Sequence, residues 1–134
     1  MKIAVIGGGA REHALVRTLS RNGRHEVVCA PGNPGIEQIA RCHPADVSNP
    51  TELLALVESQ DVEFTVIGPE LPLSRGVVDL FSAAGRPVLG PTRGAAALEW
   101  SKVFAKDFMA RYGGTDGRVP SLSIGIRSAG RDCP

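Results

Sequence analysis

Cysteine pairs are missing from this chain. Its three cysteines, Cys29, Cys42 and Cys133, are odd in number and form no Cys-x-x-Cys unit. That pattern argues against a disulfide framework and a four-ligand zinc site, and it suits a reducing cytoplasm. An excess of charge is missing as well: 15 Lys and Arg stand against 14 Asp and Glu, for a formal net charge of +1, and the basic residues are scattered. With no basic field or run, neither nucleic acid nor an anionic membrane is expected as a partner. No apolar run approaches the ~20 residues of a spanning helix. The opening Met1-Lys2-Ile3-Ala4-Val5-Ile6 stops at Gly7, and Arg11 and Glu12 follow too soon for an export signal. No internal repeat is visible.

What remains is ordinary globular material, 134 residues that are 43% hydrophobic and 22% charged, enough for one domain with a modest core. Residues 2–6 are an apolar, β-branched run ending in Gly7-Gly8-Gly9, the pattern of a buried strand entering a tight turn. Residues 11–22 then carry Ala14, Leu15, Thr18 and Leu19 on one helical stripe, with Gly23 suited to the position after the helix. The rhythm repeats. Residues 26–30 predict a second strand, stopped by Pro31-Gly32-Asn33-Pro34-Gly35, and 36–40 a short helical or irregular piece. A weak third strand falls at 41–44. Asn49-Pro50-Thr51-Glu52 then starts a helix that runs to about Gln60. Residues 62–68 are a clear fourth strand, followed by a helix over 73–84 that ends at Gly85, and Val88-Leu89 is a short fifth. A helical stretch over 93–111 can break near Trp100-Ser101.

Strands alternating with helices predict an α/β fold, a Rossmann-like doubly wound parallel sheet of about five strands. Such a winding sets strands one and four side by side at the centre, so the loops that leave them flank one crevice. Residues 8–11 and 69–71 would face each other there. Gly7-Gly8-Gly9 lets backbone N–H groups approach an anion at a helix start, although glycines alone equally suit a turn that binds nothing. A dinucleotide fingerprint would need a third glycine where Glu12 stands and an acid where the second strand ends in Ala30-Pro31, so a nicotinamide or flavin is disfavoured. Arg11 opposes the helix dipole, a small cost that a nearby anion would offset, against a plain solvent-facing role. Glu70, between Pro69 and Pro72, can accept hydrogen bonds from two sugar hydroxyls, against the alternative of an exposed acid near a helix start. His13 reads as packed or capping. Cys42, His43 and Asp46 match no metal spacing. Trp100, Phe104 and Phe108 read as core, and Lys102 and Lys106 as a solvated helix face.

Four segments in order, at 5–15 (Val-Ile-Gly-Gly-Gly-Ala-Arg-Glu-His-Ala-Leu), 30–35 (Ala-Pro-Gly-Asn-Pro-Gly), 66–73 (Val-Ile-Gly-Pro-Glu-Leu-Pro-Leu) and 90–111 (from Gly-Pro-Thr-Arg-Gly to Phe-Met-Ala-Arg), resemble phosphoribosylamine–glycine ligase, or glycinamide ribonucleotide synthetase, of the ATP-grasp superfamily. The likeness covers roughly the first 112 residues. It implies a pre-ATP-grasp domain at 1–100 and a helix at 101–112 leading into an ATP-grasp domain; residues 113–134, rich in Gly, Pro, Ser and Arg, are by composition a divergent tail expected to be mostly disordered. The implied reaction is the second step of purine synthesis, in which ATP activates glycine as an acyl phosphate that the amine of 5-phosphoribosylamine attacks, with magnesium or manganese assisting. The resemblance places the phosphoribosyl ligand against Gly9, Ala10, Arg11 and Glu70, with Gly32 and Asn33 as a further wall, and brings Lys102 to ATP phosphate. It assigns no catalytic residue or metal ligand within this chain.

Beyond Tyr112-Gly113 the likeness stops, where a ligase would continue into the domains that carry nucleotide and metal. Half of a two-sided site cannot exclude water or position ATP, so the chain alone is expected to be inactive and to bind neither ATP nor metal tightly. The other readings are a stand-alone module for phosphosugars or nucleotides and a non-functional truncated product; a separately encoded ATP-grasp part would be a partner. A frameshifted or truncated gene is the expectation. The encoding DNA, read in the other two frames downstream, should then yield a ligase-like continuation, and finding none would count against it.

Overall fold

The computed structural model of the protein describes residues 1–113. The expected tail lies outside the described residues except for Gly113, which ends the last helix in a left-handed conformation at φ 72°. Strands and helices alternate: β1 (Lys2–Gly7), α1 (Ala10–Ser20), β2 (Glu26–Pro31), α2 (Pro34–Glu37), β3 (Arg41–Cys42), α3 (Pro50–Ser59), β4 (Phe64–Ile67), α4 (Glu70–Ser74), α5 (Val77–Ala83), β5 (Val88–Leu89), α6 (Arg93–Trp100) and α7 (Lys102–Tyr112). The strands form one 5-stranded sheet in the order β3-β2-β1-β4-β5, and every pairing is parallel. This is the expected doubly wound sheet. β1 sits between β2 and β4, with Ile6 opposite Ala30 on one side and Ile67 on the other.

β1 shows why its sequence is apolar without alternation. Ala4 and Ile6 face one layer with Val28, Leu53, Val57, Ile67 and Phe81, whereas Val5 faces the other with Val16, Cys29 and Ile36. Both faces are covered, so every residue of the strand interior must be apolar. α3 begins as its residues dictate: the Asn49 side chain accepts from Glu52 N at 3.3 Å, and Pro50 occupies the first turn.

Three expectations are corrected. The inward face of α1 is Glu12 and Val16 with Leu19 partly covered, not the stripe from Ala14 to Thr18, and Ala14 and Thr18 are exposed. A carboxylate at Glu12 held under the preceding loop turns the helix, a tertiary contact that hydropathy cannot register. The helix expected over 73–84 is two: α4 already starts at Glu70, because Pro72 is tolerated in a first turn, and Gly76 at φ 80° separates it from α5. Trp100, Phe104 and Phe108 are exposed rather than core. Phe104, Phe108 and Tyr112 stand in an i, i+4 row with ring centroids 6.5 and 4.6 Å apart, but α7 packs mainly on α6 and buries no residue among the described ones. No helix of the described residues is long and apolar enough to cross a membrane.

Cys29 lies inside the second layer, and burial, with Cys42 beside it, pushes its thiol up to about 12. With the other two cysteines replaced by serine, the native chain should leave Cys29 unmodified by iodoacetamide at pH 8, because the thiol is buried and out of reach of the reagent. Labelling should appear only in urea; rapid labelling without denaturant would contradict this packing.

Candidate functional site

The loops that leave β1, β2 and β4 all open at the C-terminal edge of the sheet, and named side chains tie them together. After β1, Gly7 adopts φ 129°, a conformation that L side chains rarely reach, and Gly9 precedes α1 as its N-cap. The backbone N–H groups of Gly8, Ala10 and Arg11 donate to no other protein group among the described residues. Those of Ala10 and Arg11 are the usual open donors of a helix start, with the helix dipole behind them.

Arg11 turns its guanidinium across to the β4 loop. Nη1 donates to the carbonyl of Gly68 at 2.9 Å, and Nη2 lies 3.6 Å from Glu70 Oε1. The glycine loop and the acid after the fourth strand therefore meet at one place, as the topology predicted. The pair is open to water, with the two side chains 66% and 50% exposed. At such exposure an ion pair contributes at most about 1 kcal/mol, so a ligand carrying its own anion and hydroxyls can part it at small cost.

The β2 loop closes the third side. Gly32, at φ 77°, donates its N–H to Gly7 O at 3.2 Å, and a side chain there would strike Cys42. Asn33 Oδ1 accepts from Gly35 N and Ile36 N, both at 2.9 Å, and so caps α2. Its Nδ2 donates to Gly8 O at 2.8 Å. Asn33 is thus a strut between two loops, its carbonyl oxygen fully engaged. His13 packs against the same loop, its ring within 2.7 Å of where a Cβ on Gly35 would stand.

Gly9, Ala10, Arg11, Gly32, Asn33 and Glu70 are brought together. Lys102 is in the first turn of α7, exposed, and among the described residues no hydrogen bond or ion pair joins it to that group. Sequence reasoning missed Glu12, only 4% exposed, whose Oε2 accepts from Gly9 N at 2.6 Å. Its signal was present: an acid three residues into a helix that follows a glycine turn reaches back to the N-cap. Among the described residues no three His, Cys, Asp or Glu side chains gather as metal ligands. A surface hollow of about 350 Å³ runs along α7 between Phe104, Phe108 and Tyr112, away from these strand ends.

Comparison with known proteins bears on this arrangement. The family model described as phosphoribosylglycinamide synthetase, N domain, matches residues 1–99. A phosphoribosylamine–glycine ligase of Xylella fastidiosa is 51% identical over 116 residues, which are 84% of this chain and 27% of the relative. Another from Caldanaerobacter subterraneus is 45% identical over 123 residues, 91% of this chain and 30% of the relative. The crystal structure of phosphoribosylamine–glycine ligase from Thermotoga maritima superposes with a TM-score of 0.61 at 33% identity, covering 84% of this chain and 25% of that one. The chain spans little more than a quarter of the length of these curated relatives.

Replacing Asn33 by Ala removes both the cap of α2 and the tie to Gly8. The expected loss is about 1–2 kcal/mol by urea denaturation, with the amide resonances of Gly35 and Ile36 moved. Unchanged stability would show that the side chain does not hold the loop.

Proposed function

Because this chain belongs to the phosphoribosylglycinamide synthetase N-domain family, we propose that it is the phosphoribosyl-holding part of a phosphoribosylamine–glycine ligase of purine synthesis. Residues 1–100 are in this reading the substrate domain, and 101–112 the helix that leads onward. The reaction joins ATP, glycine and 5-phosphoribosylamine to give glycinamide ribonucleotide, ADP and phosphate. The share of this chain is to hold the sugar phosphate while the amine attacks an activated glycine elsewhere.

The observation that carries the reading is the 3.6 Å approach of Arg11 to Glu70 beside an open helix start. A sugar phosphate presents two kinds of group about one ring apart, a dianion and a pair of vicinal hydroxyls. Arg11 Nη2, with the N–H groups of Gly8, Ala10 and Arg11, is suited to the dianion. The two oxygens of Glu70 are suited to the hydroxyls, which can donate to both at once. Gly9 keeps that edge free of a side chain, while Gly32 and Asn33 hold the far wall. A dinucleotide fits less well, since Glu12 fills the place of the third glycine and β2 ends in Ala30 and Pro31 with no acid for a ribose.

ATP with magnesium or manganese belongs in this reading to the rest of a full-length ligase. The described residues hold no cluster of three metal-ligating side chains, and Lys102 stands exposed without converging partners. The proposed contact of Lys102 with nucleotide phosphate needs donors from outside the described residues.

Titration calorimetry on the whole chain tests the reading. Ribose 5-phosphate should bind and NAD should not, and added salt should weaken the binding. Arg11→Ala and Glu70→Gln should each lower the affinity roughly tenfold or more while the unfolding transition stays in place. Absence of ribose 5-phosphate binding at millimolar concentration, or tighter binding of NAD, would sink it.

A further inference from the structure

The position of Glu12 carries an inference that rests on the phosphoribosyl reading of the site. Its side chain lies under the β1 loop, 4% exposed, with Oε2 accepting from Gly9 N at 2.6 Å. Three glycines of two loops surround it. A Cβ on Gly7 would come within 2.6 Å of Glu12 Cγ, one on Gly9 within 2.8 Å of Oε2, and one on Gly68 would overlap Oε1. The carboxylate therefore occupies the side-chain room of Gly7, Gly9 and Gly68 together. Burying a carboxyl group is costly unless its oxygens find hydrogen-bond donors, and here the start of α1 supplies the Gly9 N–H.

Arg11 grips the same peptide from outside, through Nη1 to Gly68 O at 2.9 Å. Consecutive residues thus hold Gly68 from two sides, and Gly68 is two positions before Glu70. The pairing of Gly68 N with Ile6 O at 3.0 Å locks the backbone at the same height. We infer that Glu12 is a positioning residue for phosphosugar binding: it sets the spacing between the anion-facing turn and Glu70. It also engages the Gly9 N–H, so the donors left for a phosphate are those of Gly8, Ala10 and Arg11. Glu12 touches no ligand in this scheme and acts through the two loops.

The test compares wild type, Glu12→Gln and Glu12→Ala as whole chains, with ribose 5-phosphate titrated by calorimetry and unfolding followed in parallel. Gln keeps the acceptor for Gly9 and the volume against Gly68, so Glu12→Gln should bind within about threefold of wild type. Glu12→Ala should bind about tenfold or more weakly while it still unfolds cooperatively. A second pair separates positioning from bulk stability. Gly68→Ala should abolish binding in the wild-type background, where its Cβ meets the carboxylate, and should cost less in the Glu12→Ala background, where that room is free. Wild-type affinity in Glu12→Ala, or affinity lost only together with the cooperative transition, would overturn the positioning role. Failure of wild type itself to bind ribose 5-phosphate is a different result: it removes the phosphosugar site and this inference with it.

Discussion

β1 and β4 lie side by side, Ile6 opposite Ile67, with Gly68 N bonded to Ile6 O at 3.0 Å. Parallel pairing without a register slip means that the two chains leave the sheet at the same height and in the same direction. β2 leaves on the other side of β1, and the turn toward β4 reverses the winding, so the loops diverge and open a crevice between them. Arg11 reaches Glu70, and Glu12 reaches Gly68, only because of this adjacency. A single strand between β1 and β4 would add nearly 5 Å and break both contacts.

Two acids in this crevice work under opposite conditions. Glu70 is half exposed and pairs with Arg11 through water-accessible space, an interaction of small net value that is easily exchanged for a ligand. Glu12 is enclosed, hydrogen-bonded to Gly9 and surrounded by glycines, so it can be exchanged for nothing. Water access alone separates the acid that is open to exchange from the acid that is enclosed beneath the loops. The same contrast holds between Arg11, whose Nη2 meets only the exposed carboxylate of Glu70, and Asn33, whose carbonyl oxygen is committed to the start of α2.

Much of this was legible along the chain, for definite reasons. Apolar runs closed by glycine or proline mark β1, β2 and β4, since a strand covered on both faces must be apolar throughout and must end where the backbone turns. Local chemistry also identified the Asn49 cap of α3. Reading failed where a partner surface decides. Aromatic spacing on α7 matches a buried stripe, yet burial depends on a facing layer, and none of the described elements covers Phe104 and Phe108. The stripe on α1 was misjudged because a charged residue, Glu12, faces inward.

By itself, the amino-acid order determined the alternating strands and helices, the parallel winding, and the presence of Gly9, Arg11, Asn33 and Glu70 at loops that such a winding collects, because these depend on local backbone preference and periodicity. Tertiary structure alone decided that Arg11 bridges to the β4 loop, that Asn33 is a strut, and that Glu12 is buried among Gly7, Gly9 and Gly68. Those outcomes depend on distances between strands far apart in sequence, where the room left by one loop's missing side chain is filled by another element's carboxylate.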